Sequence, residues 1–301
     1  MSKPTTPAVS ATQDGNSSTG PAGHAAVSMR EVTPQGAQRR LDARLYTPMA
    51  SSGTALGLIV FFHHGGFVAG NLDEVDDFVR ALAARTRHQV LSSSYTLAGE
   101  HPFPAAVEDA HAVIAWVAKH HRKIGWDGVQ LIVAGIEAGG NLAAVASLMA
   151  RDRGGPSLAA QILIMPMLDP GLTTCSMRSL APEPGMEGLA DACAEGYHGY
   201  LQRAADRIHP YASPLQSSRL KGLPPALVLS AEDDPLRDEA EQYGAKLIAC
   251  GIKTQITRLS PLRMQDQDLD QDARCDCAHQ ESALDEIAAF IAGLDSPQKI
   301  T

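Results

Sequence analysis

Short apolar runs alternate with amphipathic stretches along most of this chain. The runs Leu58–Phe62, Val90–Ser94, Gln130–Ala134, Gln161–Met165, Ala226–Ser230 and Gln255–Leu259 have the length and β-branched content of buried strands. A further strand is predicted around Ala43-Arg44-Leu45-Tyr46. Between the runs, apolar residues recur at helical spacing over Val75–Thr86, Ala105–His121, Asn141–Ala150, Glu239–Cys250 and Ser282–Leu294. Strand and helix in alternation predict an α/β architecture: a mostly parallel central sheet with helices on both faces. Right-handed crossovers then collect the loops that follow the strands along one edge, where ligands bind.

Two segments break the alternation. Residues 1–28 are rich in Ser, Thr, Gly, Ala and Pro without periodicity and read as a disordered tail, so the domain is expected over residues 29–298. Residues from about 170 to 210 carry Pro, Gly and Met with one helix near Gly188–Arg203, and read as a small lid insertion over the site.

The chain has 301 residues, 44% hydrophobic and 20% charged, enough for one large core. A net charge of −9 gives no electrostatic footprint for nucleic acid or an anionic membrane. No apolar run reaches the roughly 18 residues of a membrane span. The first residues lack a signal-peptide pattern, so a cytoplasmic location is the default expectation. Five scattered cysteines argue against a disulfide framework.

The candidate chemistry centres on Gly135-Ile136-Glu137-Ala138-Gly139. An apolar strand precedes it and a helical stretch follows, which is the context of the nucleophile elbow G-x-S-x-G. Here a glutamate replaces the central serine. Three more motifs accompany it in order: Phe62-His63-His64-Gly65-Gly66-Phe67, Tyr95-Thr96-Leu97-Ala98-Gly99-Glu100-His101-Pro102-Phe103-Pro104-Ala105, and Asp234-Pro235-Leu236-Arg237-Asp238. Together the four resemble the hormone-sensitive-lipase-like branch of the α/β-hydrolase fold, over about residues 30–295. The resemblance implies an α/β-hydrolase sheet. It also implies an oxyanion hole from the backbone N–H groups of Gly65, Gly66 and Ala138, and a catalytic aspartate at Asp234. It places the family's histidine after the last strand, where this chain reads Ser260-Pro261-Leu262-Arg263-Met264-Gln265, and no histidine stands between His209 and His279.

A glutamate at a helix start has two arrangements open to it. If its carboxylate folds onto the Gly65/Gly66/Ala138 donors, it fills the hole and silences the site. If it points into the pocket, it becomes a general base facing the hole, suited to abstracting a proton beside a carbonyl. Direct attack by Glu137 is a third course, but it lacks an adjacent base.

The expectation is a non-hydrolytic enzyme for elimination, cyclisation or isomerisation of a carbonyl-containing small molecule, with Glu137 as general acid/base and Asp234 assisting. The alternatives are a silent small-molecule-binding pseudo-hydrolase and a residual carboxylester hydrolase using a displaced base such as His64. Gln265 is a further accessory candidate. No cofactor and no metal are expected: Cys275, Cys277 and His279, preceded by Asp266, Asp268, Asp270 and Asp272, lack the spacing of a zinc or calcium site. The partner class is a small ligand with a carbonyl or ester group, without nucleic acid or membrane, and with a homodimer as one possible assembly.

Overall fold

The computed structural model describes residues 26–49, 57–179, 188–260 and 277–294. Eight strands form one sheet: β1 Val27–Val32, β2 Ala43–Pro48, β3 Leu58–Phe62, β4 Gln89–Ser93, β5 Leu131–Ile136, β6 Ala160–Ile164, β7 Ala226–Ala231 and β8 Thr254–Leu259. Their order across the sheet is β1-β2-β4-β3-β5-β6-β7-β8. β1 and β2 run antiparallel at one edge, and all the pairs from β4 onward are parallel.

The central strands are mostly apolar and buried because both faces are covered. Leu58, Val60 and Phe62 point to one side, where they pack with helices α2 (Ala105–Lys119), α4 (Ala138–Arg153) and α7 (Arg237–Ala249). Ile59 and Phe61 point to the other, against α1 (Asp76–Thr86) and α8 (Cys277–Ala292). Two short helices, α3 (His121–Ile124) and α5 (Cys175–Ser179), lie in connections. Each fully buried Leu, Ile or Phe contributes about 1.5–3 kcal/mol, and this two-sided core is the main favourable term.

Within the predicted lid region, α6 spans Leu189–Tyr200, shorter than the expected Gly188–Arg203. The first strand was not anticipated. β1 begins at Val27, inside the stretch read as tail, because an edge strand with four exposed central positions carries no apolar period. The earlier tail lies outside the described residues.

Topology fixes where a site can form. From β3 the chain goes to β4 on one side, then returns across β3 to β5 on the other. The loops leaving β3 and β5 therefore diverge at a switch point, the place where open α/β sheets bind ligands. The register pairs Phe62 with Gly135, so His63–Phe67 and Glu137 emerge side by side.

Candidate active site

The elbow forms at that switch point. Glu137 sits between β5 and α4 with φ 55° and ψ −112°, a conformation an L-residue adopts only at a cost of about 1–3 kcal/mol. Neighbouring backbone holds it there. Glu137 N–H donates to the Ile164 carbonyl at 3.0 Å, and its own carbonyl accepts from Met167 N–H at 3.1 Å. Asn141, fully buried, ties α4 to the same loop by donating to the Met167 and Ala212 carbonyls at 2.7 and 3.3 Å. Gly139 is required by contact: a Cβ there would lie 2.1 Å from the Phe62 carbonyl oxygen.

The Glu137 side chain takes the first of the two arrangements. Its Oε2 accepts from Gly65 N–H at 2.7 Å and Gly66 N–H at 3.2 Å. Ala138 N–H, the third expected donor, makes no bond to the carboxylate among the described contacts. The loop carrying the two donors is anchored behind by His63. The His63 ring stacks on Tyr95, with centroids 4.4 Å apart, and its Nδ1 donates to the His64 carbonyl at 2.6 Å. Burial lowers the His63 imidazole to about 4, so it is neutral at physiological pH. The hydroxyl of Tyr95 donates to the His63 carbonyl at 3.2 Å. His64 is half exposed and lies 3.9 Å from the Glu74 carboxylate, and the bonds of the Glu137 carboxylate go to Gly65 and Gly66 instead. Gln265 lies outside the described residues, as do Cys275 and the acidic run before it.

Asp234 follows β7 and is 2% exposed. Its Oδ1 accepts from Leu236 N–H at 2.8 Å. Burial lifts the carboxyl to about 7, the Leu236 bond opposes that, and the charges of Glu137 and Asp233 add to it. No imidazole bonds to Asp234 among the described residues.

Sequence reasoning missed Glu239. It is fully buried on α7, its Oε1 accepts from Leu168 N–H at 2.7 Å, and its Oε2 has no partner. Burial raises this carboxyl well above its ordinary range, with Asp169 and Asp234 adding to the effect. Its spacing was a usable signal: Glu239 falls on the buried stripe of Leu236, Ala240, Tyr243 and Leu247. The Cys193 thiol on α6 is pushed up by burial, with the charges of Glu137, Asp234 and Glu239 adding to the effect. Among the described residues, no cluster of three His, Cys, Asp or Glu could hold a metal. No helix there is long and apolar enough to cross a membrane.

A cavity of about 460 Å³ opens elsewhere, between Gln38, Arg39, His101, Phe103, Glu108 and Asp109. None of the elbow or donor-loop residues lines it, and its charged groups are engaged: Arg39 with Glu100, Glu108 with Arg153, and Asp109 with Ala37 and Thr96.

Comparison with known proteins agrees with this fold. Residues 59–261 match the family model described as alpha/beta hydrolase fold. The chain is 38% identical over 221 residues to esterase LipI of Mycobacterium tuberculosis, covering 72% of this chain and 68% of that protein. It is 35% identical over 218 residues to carboxylesterase NlhH of the same species, with coverage of 72% and 68%. A hyperthermophilic esterase from the archaeon Pyrobaculum calidifontis superposes with a TM-score of 0.78 at 38% identity, covering 88% of this chain and 85% of that one. These relatives correct the expected reaction. They are esterases and carboxylesterases, and nothing among them supports a non-hydrolytic enzyme for elimination, cyclisation or isomerisation. The observed seat of the Glu137 carboxylate also differs from the pocket-facing base which that reading required.

Proposed function

Because the chain belongs to the alpha/beta hydrolase fold family, we propose that it is an esterase-type hydrolase whose turnover of carboxylic esters is residual, held down by its own Glu137. One observation carries this: Glu137 Oε2 occupies the Gly65 and Gly66 N–H groups at 2.7 and 3.2 Å. Hydrolysis turns an ester carbonyl oxygen into an oxyanion, and those N–H groups are the donors that would stabilise it. A carboxylate accepts hydrogen bonds roughly twice as strongly as a neutral carbonyl, so a substrate must displace the better ligand.

In this reading Glu137 stands in place of the serine nucleophile. The segment directly after the last strand offers no histidine to activate one, since none occurs between His209 and His279. Asp234 keeps its place without a base to orient. What remains is binding of a small ester and polarisation of its carbonyl toward water. Hydrolases stripped of their triad keep about 10³–10⁴-fold acceleration from such terms, and here a filled hole reduces even that. A second reading, a ligand-binding pseudo-hydrolase without turnover, is favoured by the buried Asp234, which has no imidazole partner among the described residues.

The test is hydrolysis of p-nitrophenyl acetate and butyrate by the parent, Glu137→Ala and Glu137→Ser. The parent should be slow. Both variants should be faster by up to about 10²-fold, the scale of one restored oxyanion donor. Parent turnover that collapses in Glu137→Ala would assign the hydrolysis to Glu137 and overturn the proposal. Tight binding of an ester recovered intact, with no turnover in any variant, would favour the pseudo-hydrolase.

A further inference from the structure

We infer that Gly196, on helix α6, is a positioning residue for the oxyanion donors. Helix α6 lies backbone to backbone on the donor loop. A Cβ at Gly196 would stand 2.7 Å from the Gly66 carbonyl oxygen, 3.1 Å from its Cα and 3.3 Å from its carbonyl carbon. From the other side, a Cβ at Gly66 would stand 3.4 Å from Gly196 Cα. The next residue of the loop continues the contact: the Phe67 ring stacks on Tyr200 with centroids 4.0 Å apart and planes within 7°. The Phe67 carbonyl accepts from Ala98 N–H at 2.8 Å, and the Tyr200 carbonyl from Phe103 N–H at 3.0 Å, so loop and helix are each tied to the segment before α2.

Glycine is a poor helix former, and α6 carries two, three residues apart, on the side that meets this loop. They differ in what they touch. Gly199 faces a single close atom, Val68 Cγ1 at 2.8 Å, and Val68 is 41% exposed and free to rotate away. Gly196 faces backbone, which cannot rotate away. A methyl group there must move either α6 or Gly66. The Gly66 bond to Glu137, at 3.2 Å, is already the longer of the two, so a displacement of a few tenths of an ångström takes it past hydrogen-bond range. The seat of α6 thereby sets whether the loop presents one donor or two. The inference rests on the reading that these donors govern turnover, but its test reads the amides themselves, so each can fail alone.

The experiment compares ¹⁵N–¹H spectra of glycine-labelled parent, Gly196→Ala and Gly199→Ala. The Gly66 amide proton should move upfield in Gly196→Ala, as loss of a bond to a carboxylate requires, and stay in place in Gly199→Ala. An unmoved Gly66 amide in folded Gly196→Ala, or equal movement in both variants, overturns the assignment. Should Gly196→Ala not fold, amide hydrogen exchange on the parent decides. Gly66 and the Tyr197–Tyr200 amides should lose protection in one step as denaturant is raised. Exchange of Gly66 through openings that leave α6 protected overturns it.

Discussion

The two halves of the site treat their carboxylates in opposite ways. At the elbow, Glu137 is met by two backbone N–H groups, and its strained backbone is held by bonds to Ile164 and Met167. Around α7's first turn, Asp234 and Glu239 are buried, Asp234 accepting from Leu236 N–H and Glu239 from Leu168 N–H with the Asp169 N–H also acting on it, and burial drives both toward the neutral acid. The first region was shaped to receive negative charge and still does. The second holds acids whose burial outweighs what offsets it, the nearby Arg237 charge at Asp234 included. A hydrolase-type scaffold can therefore hold an occupied anion-binding loop beside acids whose burial is a cost.

Changes at three residues would sharpen or break that contrast. The largest effect is expected at Asp234. Its carboxyl rises from an ordinary 3.8 to about 7, so between those values the folded chain keeps a proton that the unfolded chain gives up, and stability falls as pH rises. Asp234→Asn should remove a penalty on the order of 2–4 kcal/mol at pH 8 and change little at pH 3.5. His63 acts with the opposite sign. Lowered from 6.5 to about 4, it makes stability rise with pH over that window. In denaturant titrations from pH 4 to 6.5, stability should climb more steeply with pH in Asp234→Asn than in the parent, by the slope of the one proton that Asp234 keeps. A parent and variant with parallel curves would mean that Asp234 is ionised throughout.

Glu239 comes next. Glu239→Ala leaves Leu168 N–H without its partner and opens a void, at about 2–4 kcal/mol by chemical unfolding. Glu239→Gln keeps the acceptor and the volume and should stay within about 1.5 kcal/mol of the parent. A much larger stabilisation by glutamine would show that Glu239 carries charge in the fold. The smallest effect is at the elbow, where two terms oppose. Glu137→Ala loses two charge-assisted bonds but retains a positive φ. Glu137→Gly loses the same bonds and sheds the strain, so glycine should be more stable than alanine by about 1–3 kcal/mol. Equal melting temperatures would argue that the elbow is relaxed.

Much of this was legible in the sequence, for identifiable reasons. Buried parallel strands such as Leu58–Phe62 announce themselves as continuous apolar runs, and the elbow is flagged by Gly135 and Gly139, where backbone crosses backbone. β1 was not legible, since an edge strand exposed at four positions carries no period. The orientation of Glu137 was not legible either. Both arrangements satisfy the same residues, and the choice depends on the distance between the β3 loop and the elbow, which the Phe62–Gly135 register sets. The reaction expected from the sequence erred by giving the glutamate a new chemistry, when its nearest partners were the donors that the esterase relatives' fold already supplies. Glu239 was readable from its place on α7's buried stripe and was passed over because acidic residues near a helix start are usually solvated.

The most direct test of the central claim is calorimetric titration of butyrate into the parent and into Glu137→Gly. If the Glu137 carboxylate holds the donor pair, the parent should show no binding at millimolar butyrate, and the glycine variant, its donors freed, should bind. Equal binding by the two proteins would contradict the account, because it would mean that the donors are open with Glu137 in place.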